Sequence, residues 1–396
     1  MSGVPVSLLS TLDRAALKTT LEEIGADAWL LFDFHGLNPV AGRMLSLGGM
    51  GTRRVFVLLP RTGDLVAVGH KIELQPLADF PGKVVPYARW QELHNALRPL
   101  VEGRTLAMEI SPEDAVPYLD RVPHGVVELL TRLGAKVIPS APLVSRFAAG
   151  WSAQELEDHL FAAEVLARVA KDALKRAVRL GGTGLRESTL QAEVIAAMKQ
   201  GGLMLNAPPI VGFGANAANP HYEPLPGSDA ELRKGEVVLL DLWGGRSLET
   251  VFADQTWMGF AGDRVPDEVD LVWRTVRDAR DAAVTTLREA QGRRAPVAGF
   301  QLDQAARGVI TAAGFGDYFV HRTGHSIDKD LHGSGPHLDD YETHDDRRLL
   351  PGVGFSVEPG VYLTGRFGVR SEINVHIGTE GARVTPAEPQ VDLITG

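Results

Sequence analysis

Short apolar runs broken by polar, glycine-bearing segments fill the first 150 residues, and the pattern predicts alternating strands and helices. DAWLLFD at 27–33 has the length and composition of a buried strand. RVFVLLP at 54–60 and DLVAVGH at 64–70 are joined across Thr62 and Gly63, so they predict a hairpin. Ser10 with Asp13 opens a helix that Gly25 ends, and Ser111 followed by Pro112, Glu113 and Asp114 has the form of a second helix start. RTLAMEI at 104–110 and KVIP at 136–139 complete a mixed α/β domain over residues 1–150.

Past the small-residue segment PSAPLVSRFAAGW at 139–151, read as a linker, the apolar period lengthens. Ser152 and Glu155 form a capping box ahead of a long amphipathic helix reaching about Leu180. Further helices are expected from Ser188 to Lys199, from Pro266 to Gln291, and from Gly299 to near Gly314. Between and after them run EVVLLDLW at 236–243, ETVFADQTWMGF at 249–260, FSVEPGVYL at 355–363 and GVRSEINVHI at 368–377. These predict helices packed on one antiparallel or mixed sheet over residues 151–396.

Composition narrows the class. With 44% hydrophobic and 23% charged residues the chain reads as globular, and no apolar run approaches the roughly 20 residues that span a bilayer. The N-terminal segment lacks a basic stretch followed by an apolar one, which implies a cytoplasmic protein without a leader and no membrane partner. The absence of cysteine excludes disulfides, thiolate catalysis and thiolate metal sites. A net charge of -10 argues against nucleic acid as a partner. GFGANAANP at 212–220 lacks the third glycine of a phosphate loop and ends at Asn219-Pro220, so it reads as a loop near the active site.

Four acids break the apolar pattern. Asp241 interrupts VVLLDLW, Asp254 interrupts TVFADQTW, and Glu358 and Glu372 sit in the last two runs. Leaving one such carboxylate buried and unpaired costs on the order of several kcal/mol, so each needs a cation or a cap. Asp241 and Asp254, on strands joined by a short connection, should be neighbours, and two like charges side by side must share a proton or a cation. Six of the twelve histidines lie between His321 and His376, close in sequence to the last two acids. His35, His70, His94 and His124 are scattered and carry no ligand spacing, and His337 and His344 read as surface groups.

The order Asp241, Asp254, His325, Glu358, Glu372, with TGHS around the histidine, SVEPG around the first glutamate and RSE around the second, resembles that of the pita-bread metallopeptidases. That family contains methionine aminopeptidase, aminopeptidase P and prolidase. The resemblance is close over 150–396 and looser over the first 150 residues, which are similar to the creatinase/prolidase N-terminal domain. It implies a two-domain α/β and α+β chain, with that mixed α/β domain at 1–150 and a pita-bread catalytic domain at 151–396. Methionine aminopeptidases usually lack the first domain, so the proline-directed branch matches better.

By the same resemblance the five residues hold two divalent cations, Mn²⁺ first and Co²⁺ or Zn²⁺ as alternatives. Asp241 and Asp254 would contact one, Asp254 and Glu372 would help bridge the pair, and His325 and Glu358 would complete the other. A bridging hydroxide would attack the bond preceding proline in an Xaa-Pro dipeptide, with Glu358 carrying the proton to the leaving nitrogen. His221 in NPHYEP, His321 in HRTGH and His332 in DLH would hold substrate and stabilise the tetrahedral intermediate. Arg370 would orient Glu372, bind a substrate carboxylate, or simply offset the buried acids. Aminopeptidase P, acting on longer peptides, is the alternative, and a homodimer is expected.

This chain also departs from the family. Asp241 and Asp254 are thirteen apart where the family usually has eleven, GHGIG is here GHSID, and HE-P is HGSGP. Metal-free creatinase-like hydrolysis and a non-catalytic binding module compete with this reading, and the intact ligand set argues against both.

Overall fold

The computed structural model describes residues 8–46 and 51–396. Residues 1–7, part of the segment read as lacking a leader, and residues 47–50 lie outside the described residues. The chain forms two compact units, Met1–Ala149 and Gly150–Gly396. No helix among the described residues is long and apolar enough to cross a membrane.

In the first unit Asp13 caps α1 (Arg14–Glu23) by accepting from the N–H groups of Ala15 and Ala16. The strands are β1 (Ala28–Asp33), β2 (Val55–Pro60), β3 (Val66–His70), β4 (Lys83–Tyr87), β5 (Thr105–Met108) and β6 (Lys136–Pro139). They make one sheet in the order β4-β3-β2-β1-β5-β6, with β2 and β3 paired as the expected hairpin. Because side chains alternate across a strand, Trp29 and Leu31 of β1 face one way and Leu30 and Phe32 the other. Trp29 and Leu31 pack with Leu17 and Leu21 of α1 and with Val40 and Met44 of α2 (Pro39–Leu45). Leu30 and Phe32 pack with Leu93 and Leu97 of α3 (Trp90–Val101) and Leu130 of α4 (His124–Arg132). The result is a sheet between two helical layers, each side burying apolar area.

One expectation in this unit fails. The helix expected from Ser111 is only a single turn at Pro112–Asp114, followed by another at Pro117–Leu119. Glu113 and Asp114 adopt φ of 59° and 54°, which no α-helix can accommodate, and Pro117 has no N–H to continue a hydrogen-bond ladder.

In the second unit, past the short turn α5 (Ala141–Leu143) that closes the first, the capping box of Ser152 and Glu155 opens α6 (Ala153–Arg179). It is followed by α7 (Glu187–Gln200), β7 (Ile210–Phe213), β8 (Val237–Gly244), β9 (Ala253–Phe260), α8 (Asp267–Gly292) and α9 (Gly299–Ala312). The rest is strand: β10 (Ser326–Ile327), β11 (Gly354–Val357), β12 (Gly360–Leu363), β13 (Phe367–Arg370), β14 (Ile373–Gly378), β15 (Gly381–Thr385) and β16 (Ile394–Thr395).

These strands form three sheets, not the single one expected: β16-β9-β8-β7, β10-β11-β14-β15, and the pair β12-β13. The reason lies inside the two last apolar runs. Pro359 cannot donate to a ladder, so FSVEPGVYL splits at Glu358-Pro359 into β11 and β12. Its partner run splits opposite, at Ser371-Glu372, into β13 and β14. Both glutamates therefore stand at the point where the chain leaves one sheet for another. The run at 249–260 is strand only from Ala253 onward.

Alternation also decides which side of β8 and β9 is chemical. Val238, Leu240 and Leu242 of β8 and Ala253 and Trp257 of β9 pack under Leu166, Ala170 and Leu174 of α6 and Leu190 and Val194 of α7. Asp241, Asp254 and Thr256 have the opposite parity and face away from those helices.

Gly324 is fixed by close approach. A methyl group there would lie 2.0 Å from the Ser356 carbonyl oxygen, where β10 runs beside β11. Gly324→Ala should therefore lower the thermal unfolding temperature by several degrees and weaken divalent-metal binding through the adjoining His325. An unchanged melting curve would show that the two strands can part without cost.

Candidate metal centre

Three strand ends and a loop bring the candidate residues together. β11 and β14 pair antiparallel with Val357 opposite Ile373, so Glu358 and Glu372 emerge at the same end of that sheet. β10 extends the ladder: the Ser356 N–H donates to the His325 carbonyl at 2.9 Å and the Glu358 N–H to that of Thr323 at 2.7 Å. β9 meets β14 through side chains and backbone. The Asp254 N–H donates to Asn374 Oδ1 at 2.9 Å, and the Glu372 N–H points to the Thr256 carbonyl at 3.3 Å. The site lies on this seam between two sheets.

Asp254, His325 and Glu372 each offer a ligand atom within 4.8 Å of the others, and all three are buried. His325 Nε2 stands 3.5 Å from Asp254 Oδ2 and 3.4 Å from Glu358 Oε1. Its Nδ1 faces the Ser326 carbonyl at 3.2 Å, and an Nδ1–H donated there aims Nε2 at the acids. Burial is outweighed by Asp254 and Glu358, which raise the ring's pKa, so Nε2 must give up a proton before it can hold a cation. Ser356 Oγ accepts from the His325 N–H at 2.9 Å and donates to Glu358 Oε1 at 3.0 Å, tying two candidate ligands through one hydroxyl.

Asp241 joins from β8. It is opposite Thr256, while Asp254 is opposite Trp243, so the two aspartates are diagonal neighbours on one face instead of directly facing. The Arg370 guanidinium donates to Asp241 Oδ2 and, through Nε, to Thr256 Oγ1 at 2.8 Å; Thr256 in turn donates to Glu372 Oε2 at 2.8 Å. Arg370 is thus buried among the acids that flank it, and its geometry supports orienting them over binding a substrate carboxylate.

Electrostatics separates these acids. Burial, with repulsion from Asp254 and Glu358 added and attraction from Arg370 opposing, pushes Asp241 up to about 7. Burial likewise raises Asp254, and it raises Glu372 well above the carboxylate range with help from its acidic neighbours. Glu358 goes the other way: burial is overcome by His325, Arg370 and the nearby histidines, which hold it at about 2.

Burial of an acid is not by itself a metal signal in this chain. Glu187 is buried, yet it accepts from the Phe213 and Ala230 N–H groups, Asn216 and Tyr222. Asp303 is buried too, but it accepts from Arg307 and from the Thr323 N–H and hydroxyl. Glu109 of the first unit takes Trp29, Asn38 and Ser140. Asp241 Oδ1, Asp254 Oδ1 and Glu372 Oε1 are different, since each is buried with no hydrogen-bond partner. Orphaned carboxyl oxygens on Asp254 and Glu372 grouped with one imidazole, with a third on the neighbouring Asp241, fit divalent cations of intermediate hardness.

The remaining candidates surround this cluster. His321 Nδ1 faces the Arg322 carbonyl at 2.7 Å and its Nε2 faces Tyr362 Oη at 2.8 Å; burial lowers its pKa to about 4, so the neutral ring accepts the tyrosine proton. The His332 ring centroid lies 4.1 Å from that of His325, whose charge is the main cause lowering His332 to about 3. His221 is exposed on the loop after Pro220, within range for its charge to act on His332. The turn just before it, Gly214–Ala218, packs on β13, where a methyl at Gly368 would stand 2.0 Å from the Ala217 carbonyl oxygen.

Sequence reading placed His337 on the surface, and this is corrected: the residue is buried, with its Nδ1 accepting from the Ser326 N–H at 3.1 Å. His344 is exposed beside Asp340. Tyr362, Ser356, Thr256, Glu187 and Asp303 were missed. None has a motif signature, although the tyrosine four residues after Glu358 sits in a strand expected to reach the site.

Helices over a curved, strand-lined acidic site define the pita-bread class of metallopeptidases. The sequence profile of metallopeptidase family M24 matches residues 162–379, more than half of the chain, and the chain belongs to that family. It is 29% identical over 336 residues to a probable dipeptidase PepE of Mycobacterium tuberculosis, covering 83% of this chain and 82% of that one. It is 32% identical over 192 residues to an Xaa-Pro dipeptidase of Lactobacillus helveticus, covering 48% of each. Among solved structures, dipeptidase PepE from Mycobacterium ulcerans superposes with a TM-score of 0.75 at 24% identity over 98% of both chains, a likeness of fold. Peptidase activity and use of divalent metal go with the family.

Protons and cations compete for the same oxygens. In the metal-free protein the raised acids add stability that is complete below the ordinary carboxylate range and lost as pH rises through about 7, where Asp241 ionises. A bound cation needs those protons gone. The rise in melting temperature produced by a fixed Mn²⁺ concentration should therefore grow as pH rises through about 7. A shift that is the same at pH 5.5 and pH 7.5 would remove the three acids from the ligand set.

Proposed function

We propose that this protein is an Xaa-Pro dipeptidase working with two divalent cations held by Asp241, Asp254, His325, Glu358 and Glu372. The observation that carries the reading is the buried grouping of Asp254, Glu372 and His325, with Asp241 on the same face of the sheet and one oxygen of each of these three acids left without a hydrogen-bond partner. The proline-directed choice draws on the Xaa-Pro dipeptidase name of one relative and on the first unit, whose mixed α/β build suits a prolidase-like chain. Oxygen donors with one imidazole suit Mn²⁺, Co²⁺ or Zn²⁺. The reading also takes the enzyme as a cytoplasmic homodimer acting on short proline-containing peptides.

The cations, when bound, supply Lewis acidity at the scissile carbonyl and lower the pKa of the attacking water toward about 7. The side chains do the rest. Glu358, ionised and only partly buried, accepts the proton of the attacking water and returns it to the proline nitrogen. That return is essential, because a proline amide nitrogen carries no hydrogen and leaves as an amine only once protonated. Ser356 Oγ fixes the rotamer of Glu358 for both transfers. His321, His332 and His221 border the cluster and hold the substrate; Tyr362 keeps the neutral His321 ring in place. Arg370 is a positioning residue that sets Asp241 and, through Thr256, Glu372.

Glu358→Gln should retain part of the metal binding and lose at least about 100-fold in kcat, the range expected for removing a general base. Turnover near wild type would reject the proton-carrier role. Chelation should abolish hydrolysis and Mn²⁺ or Co²⁺ should restore it; full activity in protein shown to be metal-free would end the reading. Comparing Xaa-Pro with Xaa-Pro-Yaa separates a dipeptidase from an aminopeptidase P, which would favour the longer peptide.

A further inference from the structure

Seven of the eight residues of β8 are buried, and the exception is Trp243. Its parity is that of Asp241, so it lies on the chemical face of the sheet, and its direct partner across the strand pair is Asp254. Opposed residues on one face have Cβ atoms about 5 Å apart, which sets the indole beside a candidate ligand. The ring is oriented: Nε1 donates to Asn206 Oδ1 at 2.9 Å. Asn206 follows Met204, itself 52% exposed and bridged to Gly245 just past the end of β8. A large apolar side chain left partly exposed beside a polar cluster, with an exposed methionine anchored to the same strand end, is an unusual use of surface.

We propose that Trp243 is the apolar wall of the subsite that receives the first residue of the substrate, and that the enzyme prefers a bulky apolar side chain there. This rests on the peptidase reading above. Strand order gives the assignment to the first residue. Across the seam the succession is β8, β9, β14, β11, so Trp243 and Glu358 stand at opposite ends of it. Glu358 delivers its proton to the leaving nitrogen, which places proline at the β11 end. The acyl side of the scissile bond, and with it the first side chain, then lies toward β8. A flat, rotationally fixed indole offers aliphatic and aromatic groups a face at little entropic cost.

The test is a panel of Xaa-Pro dipeptides with Xaa as Gly, Ala, Leu and Phe, assayed with the metal-loaded wild type and with Trp243→Ala and Trp243→Phe. In Trp243→Ala the loss in kcat/KM should grow with side-chain size, reaching on the order of tenfold or more for Leu and Phe and far less for Gly, with Trp243→Phe recovering part of it. A loss of equal size across the panel, or none, overturns the assignment. A second readout is independent of turnover: adding L-leucine to the metal-loaded protein should change tryptophan emission in wild type and not in Trp243→Phe. The same change in both proteins also overturns it. A wild type that binds leucine at Trp243 but cleaves no Xaa-Pro peptide would reject the proline-directed reading and leave the apolar subsite standing.

Discussion

The second unit is governed by buried carboxyl groups that its own hydrogen-bond donors do not fully satisfy. Asp241, Asp254 and Glu372 each keep one buried oxygen without a partner, while Arg370 and Thr256 serve only the others. A buried carboxyl oxygen lacking a partner is costly, and other buried carboxylates of this chain are supplied with donors. Glu109, Glu187 and Asp303 show how: three or four donors are gathered around each carboxylate. The contrast within one molecule sets the cluster apart as a group that could hold a cation.

Ordinary strand geometry is sufficient to build that place. Parity on β8 and β9 turns the aspartates away from the α6 and α7 core, and the antiparallel register of β11 and β14 brings out two glutamates at one end. The breaks at Pro359 and Ser371 then release the chain into the separate β12-β13 pair, which returns Arg370 to the acids and Tyr362 to His321. Orientation of the candidate ligands falls to small hydroxyl groups. Ser356 links His325 to Glu358, and Thr256 links Arg370 to Glu372.

Much of this was legible in the residues. The helix boundaries of α6 to α9 followed from caps and glycines, and the acids betrayed themselves by interrupting apolar runs. What sequence could not give was anything that depends on which strand sits beside which. The division into three sheets turned on prolines and on parity between distant strands, and the diagonal placing of Asp241 and Asp254 turned on register. His337 misled because a histidine buried by a backbone N–H looks, in sequence, like any surface histidine. The Ser111 segment misled because a capping signal cannot reveal that Glu113 and Asp114 will be left-handed. Glu187 and Asp303 stand on amphipathic helices where an acid is expected to face water.

Because the candidate ligands reach the site from two sheets and from positions as far apart as Asp241 and Glu372, neither sheet holds a complete set alone. The seam between them is stitched by few bonds, chiefly Asp254 to Asn374 and Glu372 to Thr256. A cation seated there would act as a rivet between the layers. Its departure should be felt first as slackening at that joint, seen as faster amide exchange at residues 254–256 and 372–374 while the helices behind stay protected, and its capture should be among the last events of folding.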